Sequence, residues 1–231
     1  MTRGRLNFIH VGKCGGSTLV RILPKSPVAS RQYSELAHTH VRAPSYDPDD
    51  HYIISLRNPV GRAISAFNWR YKLVVAEEKQ KSRFNGEWDA LAQYGSLNEL
   101  ALALYRDDRL CEVAAAQFRT IHHLKEDIAY YLAPLLGSIR PEQVFAVLLQ
   151  ETLNQDIREF LGVANNLYFR RNEDGIDPSC KRLSLQAFTN LKRFLADDYR
   201  CISALQALGA LSDDRAAQLL DDESKFLRTK E

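Results

Sequence analysis

The sequence lacks any long apolar run, and this absence bears first on membrane association. Its first apolar stretch, Leu6–Val11, is too short for the hydrophobic region of a secretory signal and far too short to cross a bilayer. No later run is long and apolar enough either. The sequence therefore predicts a chain without a membrane span, and a cytosolic location.

Cysteine patterns typical of metal sites and disulfide frameworks are also missing. The chain has 4 cysteines, and they are far apart. They form no C-x-x-C pair and no Cys/His cluster with zinc spacing. We expect four free thiols in a reducing compartment, and no metal centre.

The sequence also has no large excess of positive or negative charge. The 31 basic and 29 acidic residues leave a formal net charge of +2, so the whole molecule has no general attraction for nucleic acid or an anionic membrane. Any basic site must be local. The ordinary globular composition predicts one domain over residues 1–231.

Short apolar segments mark the predicted sheet. They are rich in β-branched or aromatic residues, show no clean alternation and are bounded by Gly, Pro or charge, as buried parallel strands are. The predicted strands are Leu6–Val11, Tyr52–Leu56 and Val144–Leu149, with a weaker fourth near Arg31–Leu36.

Helical periodicity follows these strands. Apolar faces predict helices within 60–75, 110–124, 128–136 and 185–205, the last with Ser184 as N-cap. The segments 42–50 and 76–95 are predicted loops, and 213–231 a surface helix with a loose tail. Alternating strands and helices predict an α/β fold with a central, mostly parallel sheet flanked by helices.

The first predicted strand runs into a glycine-rich turn that is a candidate anion site. Glycines allow a tight turn and close approach to a ligand, while consecutive backbone N–H groups and a helix start attract negative charge. Lys13 adds a full positive charge. The candidate binding residues are Gly12, Lys13, Cys14, Gly15, Gly16, Ser17 and Thr18.

A Walker A nucleotide-binding loop is the obvious alternative for this turn. That motif is G-x-x-x-x-G-K-[ST], with the lysine after the last glycine and a hydroxyl beside it for magnesium. Here Lys13 precedes Gly15 and Gly16. A lysine at the start of the loop suits a phosphoanhydride-like group that needs no metal.

A second candidate anion site follows the second predicted strand. Arg57 stands at the carboxyl end of Tyr52–Leu56, where open α/β sheets bind ligands, and Pro59 suits the first turn of a helix. Ser65 lies eight residues after Arg57, about two helical turns further. An arginine fork with a hydroxyl is a good receptor for a phosphate.

Together the two segments resemble the PAPS-dependent sulfotransferases, which use 3′-phosphoadenosine-5′-phosphosulfate as sulfuryl donor. Phe8–Leu19 resembles that family's 5′-phosphosulfate loop, and Leu56–Phe67 its 3′-phosphate motif, R-[DN]-P-x-x-R-x-x-S-x-[FY]. The resemblance is greatest to the carbohydrate branch, which includes the heparan sulfate enzymes. It covers roughly residues 6–205, with weaker matches at 115–119, 147–151 and 197–199.

The resemblance implies a P-loop-like sulfotransferase fold, PAPS as cofactor, adenosine 3′,5′-bisphosphate as product, and no metal. Lys13 would contact the sulfate leaving oxygen, and the backbone of 15–18 would hold the 5′-phosphate. Arg57 and Ser65 would hold the 3′-phosphate. Arg171, in the stretch 169–172, would be a further cofactor contact.

A candidate general base comes from the same resemblance. The stretch 38–41 is similar to a His-x-His-Val segment of the heparan sulfate 2-O-sulfotransferases, whose second histidine is the proposed base; this indicates His40, with His38 and Glu35 as alternatives. A histidine has the right ordinary pKa to accept a hydroxyl proton near neutrality. Of the other histidines, His10 is expected to pack in its strand, and those at 122 and 123 to be structural residues on a helix.

The acceptor implied is a free hydroxyl on a glycan or glycolipid, with no nucleic acid partner. Trp69 and Arg70 are candidate acceptor contacts. Two other functions stay open: a P-loop-type kinase, which predicts magnesium dependence, and a non-catalytic nucleotide-binding module, which predicts binding without turnover.

Overall fold

A four-stranded parallel sheet lies at the centre of the computed structural model, which describes residues 3–164, 178–220 and 225–228. Its order is β2-β1-β3-β6, and a two-stranded antiparallel sheet, β4-β5, lies apart from it. The strands are β1 Arg3–His10, β2 Tyr33–Thr39, β3 His51–Leu56, β4 Tyr105–Arg106, β5 Arg109–Leu110 and β6 Val144–Leu149.

Helices occupy most of the remaining described chain. They are α1 Gly16–Ile22, α2 Pro27–Gln32, α3 Pro59–Tyr71, α4 Glu87–Tyr94, α5 Leu97–Ala103, α6 Glu112–Phe118, α7 Ile128–Leu136, α8 Leu153–Leu161, α9 Leu185–Phe194, α10 Ala196–Ala207 and α11 Asp213–Leu220. A π-helical turn, Lys72–Ala76, extends α3. The predicted N-cap Ser184 is confirmed, because its side chain accepts a hydrogen bond from the Ala187 amide.

Both faces of the sheet are covered, which explains why its strands read as continuous apolar runs. Ile9 and Ile54 face a layer of α7, α10 and α11, whereas Phe8 and Ile53 face α1, α2 and α8. A third cluster surrounds α3, with α4, α5, α6 and α9 packed against it. The described residues form one compact α/β domain with a parallel sheet, as predicted.

The strand order places a crevice at one edge of the sheet. From β1 the chain first forms β2 on one side, and then crosses to β3 on the other side. The connections that follow β1 and β3 therefore leave in opposite directions, and open α/β sheets bind ligands in the crevice at such a switch point. The candidate anion sites follow these two strands.

Three local predictions differ from the structure. α6 covers only part of the predicted helix 110–124, because Leu110 belongs to the β4-β5 hairpin and Ile121 lies in a turn. Both residues pack against the α3 cluster, so their apolar spacing reflects this packing and not one continuous helix. The predicted loop 76–95 contains α4, whose Glu87 is buried against Arg70 and so does not mark a surface. The weak fourth strand begins at Tyr33, since α2 occupies the residues before it.

The carboxyl-terminal prediction is confirmed in part. α11 forms, and its Ala216 and Leu219 are buried. The described tail residues 225–228 are not loose: Leu227 forms a parallel bridge with Leu183. Among the described helices, none has the length and apolarity needed to cross a membrane.

Candidate functional site

The carboxyl ends of all four parallel strands supply residues to one edge of the sheet. The glycine loop follows β1, His40 follows β2, and Arg57 follows β3. Glu151 follows β6, and its carboxylate accepts a hydrogen bond of 2.9 Å from the Asn58 amide. Parallel pairing of these strands puts the four chain positions side by side.

The glycine loop turns through two left-handed residues. Lys13 has φ 71° and Gly15 has φ 80°, while the Cys14 amide donates to the Val11 carbonyl at 3.3 Å. No described residue accepts a hydrogen bond from the amides of Gly15, Gly16 or Ser17. Amides on a turn of this kind form a concave anion receptor.

Two glycines of the loop are required by close contacts. A β-carbon on Gly12 would lie 2.7 Å from Nδ1 of His123, and one on Gly16 would lie 1.8 Å from Nε2 of His10. Imidazole rings therefore press directly on the loop backbone from two sides. This packing fixes the loop's position relative to the histidines.

Lys13 lies partly buried against α3. Its Nζ is 4.9 Å from the centre of the Trp69 ring, a cation–π contact. Burial, and then the positive charge of Arg57, lower the pKa of Lys13 to about 7. Because Trp69 follows Ser65 by one helical turn, both residues occupy the α3 face that is directed to the loop.

Arg57 joins the two candidate anion sites. Its charge lowers the pKa of Lys13 and opposes the rise that burial causes in the pKa of the Cys14 thiol. The structure thus brings the loop and Arg57 together, with Ser65 partly buried two turns along α3. Burial raises the pKa of Glu151, and the charge of Arg57 opposes that rise.

Cys14 itself is no nucleophile in this arrangement. The side chain is fully buried, and its Sγ lies 3.7 Å from the Gly12 carbonyl oxygen. Burial raises the pKa of the thiol to about 12, so the thiolate is scarce at neutral pH. Cys14 packs in the hydrophobic cluster beneath the loop, while exposed Ser17 and buried Thr18 supply the hydroxyl groups of the loop.

His40 is held in one tautomer. Its Nδ1 is 2.9 Å from the His10 carbonyl oxygen, which can only accept, so Nδ1 carries the proton and Nε2 keeps a lone pair. The ring stacks on His10 with centroids 3.8 Å apart. Burial lowers the pKa of His40 below its ordinary value, which leaves the ring neutral at pH 7.

Five of the 6 histidines form a row along this edge. His38 and His10 share a hydrogen bond of 3.0 Å, and the row continues from His40 to His123 with ring centroids 6.0 Å apart. Burial lowers the pKa of His10 to about 3 and that of His123 to about 2. His10 packs in its strand, as predicted, and exposed His38 ends the row.

The prediction that His122 and His123 lie on a helix is wrong. They occupy the turn between α6 and α7, where His123 has φ 67°. Glu126 stabilises this turn by accepting a hydrogen bond of 2.7 Å from the His123 amide, and its Oε2 lies 3.1 Å from Nδ1 of His122.

Arg62 is a site residue that the sequence analysis did not identify. Fully buried, it donates from Nη1 to the His123 carbonyl at 2.6 Å and to the Glu126 carbonyl at 3.3 Å. It thereby fixes the turn that presses on Gly12. The only signal for this role was the second arginine of the R-[DN]-P-x-x-R spacing that begins at Arg57.

The same turn holds three atoms of metal-ligating type within 4.8 Å, on His122, His123 and Glu126. Cations surround them: Lys125 Nζ is 3.5 Å from a Glu126 carboxylate oxygen, and Arg62 binds the turn's carbonyls. The two cations oppose the binding of a divalent cation at these atoms, whereas the Glu126 carboxylate favours it.

Not every predicted residue reaches this edge. Glu35 lies in β2 four residues before the strand ends, about 13 Å from the edge, and its side chain is exposed. Arg70 is no acceptor contact, because it is buried and forms a two-pronged ion pair with Glu87 at 2.6 and 2.8 Å. Arg171 and the stretch 169–172 lie outside the described residues.

No protein-family model matches the chain, and no curated protein matches it.

Proposed function

We propose that the protein is a PAPS-dependent sulfotransferase with a P-loop-like fold, which transfers a sulfuryl group to a hydroxyl of a glycan or glycolipid. One observation carries this proposal: Lys13, His40 and Arg57 each follow the carboxyl end of one of three neighbouring parallel strands, β1, β2 and β3. A loop for one anion, an arginine for a second and a neutral histidine thus follow the same end of the sheet.

The two anion sites suit opposite ends of one bisphosphorylated adenosine. The loop amides and Lys13 would hold the 5′-phosphosulfate, while Arg57 and Ser65 would hold the 3′-phosphate. Electrostatic interaction between Lys13 and Arg57 supports this assignment, because it requires the two sites to be close. Arg57 would position the donor without taking part in bond making.

In the proposed reaction, His40 Nε2 takes the proton of the acceptor hydroxyl as that oxygen forms a bond to sulfur in line with the leaving group. The bond from sulfur to the 5′-phosphate oxygen breaks, and its electron pair stays on that oxygen. Lys13 and the loop amides stabilise the charge that grows there. The tautomer set by the His10 carbonyl directs the lone pair of His40 to Nε2.

The test is incubation with sulfur-labelled PAPS and a panel of glycans and glycolipids, without added metal. We expect label transfer to at least one acceptor, and a rise in melting temperature with adenosine 3′,5′-bisphosphate. Binding of the bisphosphate without transfer to any acceptor favours the non-catalytic module. Magnesium-dependent transfer from ATP, with no bisphosphate binding, favours the kinase and contradicts the proposal.

A further inference from the structure

The tail residues 225–228, here called the strap, are attached to the body of the domain by backbone hydrogen bonds. The Leu183 amide donates to the Phe226 carbonyl at 2.7 Å, and the Arg228 amide donates to the Leu183 carbonyl at 2.9 Å. Arg182 adds a hydrogen bond of 3.2 Å from Nη1 to the Leu227 carbonyl. Three such bonds over four residues make the strap a fixed part of the domain.

The strap lies on the candidate 3′-phosphate site. A β-carbon on Gly61 would be 2.9 Å from Cζ of Phe226 and 3.4 Å from Nε of Arg57, so the phenyl ring and the guanidinium both border this glycine. Gly61 is one helical turn after Arg57 and one turn before Ser65. Phe226 therefore lies next to Arg57, one of the two residues assigned to the phosphate.

A cation of the strap also reaches this region. The charge of Lys225 acts on the Glu151 carboxyl, as the charge of Arg57 does. Lys225 is exposed, and Phe226 is only partly buried against the α3 cluster. The strap thus presents part of an aromatic ring beside Arg57.

We propose that the strap forms the outer wall of the nucleotide site, with Phe226 as the apolar surface against which the nucleoside packs. This inference rests on the proposed function, since it assigns the wall of that same site. Aromatic side chains bind bases through their π-faces without base-specific hydrogen bonds.

A wall fits the observations better than a plug that must leave before binding. Removing the strap would break the three hydrogen bonds to 182–183 and expose the packed side of Leu227. Gly61 accommodates the ring because it has no side chain, which leaves Phe226 in contact with α3 while Arg57 stays beside it.

The test is calorimetric titration of adenosine 3′,5′-bisphosphate into the full chain and two variants. Phe226→Ala removes the ring, and we expect it to raise Kd about tenfold, the usual effect of losing one base–aromatic contact. Phe226→Leu keeps apolar packing on Gly61 without the π-face, and we expect a smaller rise. Arg228→Ala is the matched control, because its exposed side chain lies on the same strap, and its Kd should equal wild type.

The outcomes separate this inference from the proposed function. If wild type binds the bisphosphate and Phe226→Ala binds it equally well, the strap is not a wall and only this inference fails. If Arg228→Ala loses affinity as much as Phe226→Ala, the effect is not specific to the ring, and the role of the ring is overturned. No binding by wild type contradicts the proposed function itself, and this inference with it.

Discussion

The two anion sites are built in different ways. The loop after β1 offers backbone amides held by the close packing of His10 and His123 on its glycines. The site on α3 offers side chains, Arg57 and Ser65, on a regular helix. Adding a side chain to a loop glycine should therefore disrupt the backbone site, whereas removing one side chain from the α3 site should only weaken it.

The largest effect is expected from Gly16→Ala. The new β-carbon would lie 1.8 Å from Nε2 of His10, so the loop or the ring must move, at a cost of about 1–3 kcal/mol of stability. We expect loss of both bisphosphate binding and sulfuryl transfer, with a lower melting temperature. Gly137→Ala is the control, because no atom lies within 4 Å of its new β-carbon. Equal binding by both variants would show that the loop is not a backbone receptor.

Lys13→Ala should have the next largest effect, and on turnover more than on binding. The ammonium group would act on charge that develops only as the sulfuryl group leaves, so kcat should fall about 10²–10³-fold. Bisphosphate affinity should fall less, because the loop amides remain. Lys81→Ala serves as control, since this exposed lysine lies over Trp88 as Lys13 lies over Trp69. A variant with unchanged kcat and weaker binding would assign Lys13 to binding alone.

His40→Ala should reduce kcat by about 10²-fold or more through loss of the base. His38→Ala is the matched comparison, because His38 belongs to the same histidine row but is exposed and lies at its end. We expect near-normal turnover for His38→Ala across pH 6–8. Reduced turnover in His38→Ala with normal turnover in His40→Ala would indicate that His38 is the base. Unchanged turnover in both variants would show that neither histidine is the base.

Arg57→Ala tests the side-chain site and should act on donor binding. Loss of a charged hydrogen-bond donor costs about 1.5–3 kcal/mol, so the apparent KM for PAPS should rise roughly 10–100-fold with kcat little changed. Steady-state kinetics at varied PAPS concentration separate the two constants. Arg42→Ala, on an exposed loop, is the control. An unchanged KM in Arg57→Ala would end its assignment to the 3′-phosphate.

The difference between local features and long-range contacts explains what the sequence could predict. The strands and the loop are local features: Leu6–Val11 followed by glycines predicts both the strand and an anion receptor from a dozen residues. The contact of His123 with Gly12 joins positions 111 residues apart, and no local pattern reports it. Arg62 and Arg70 are fully buried although charged residues usually indicate surface: Arg62 donates from Nη1 to backbone carbonyls, and Arg70 pairs with Glu87. The strap depends on a pairing with Leu183 that short-range spacing does not encode.

The smallest predicted effect is a pH dependence of ligand binding that belongs to the loop and not to α3. Burial and Arg57 lower the pKa of Lys13 to about 7, so its charge is present below that pH and is lost above it. Bisphosphate affinity should therefore fall by up to about tenfold per pH unit above 7, and binding at pH 8 should take up close to one proton. Calorimetry at pH 8 in two buffers of different ionisation enthalpy measures this uptake. Lys13→Ala should abolish the uptake while Arg57→Ala should reduce it, since without the arginine the free lysine already holds more of its proton. Equal proton uptake in wild type and Lys13→Ala would place the titrating group elsewhere and remove the electrostatic link between the two sites.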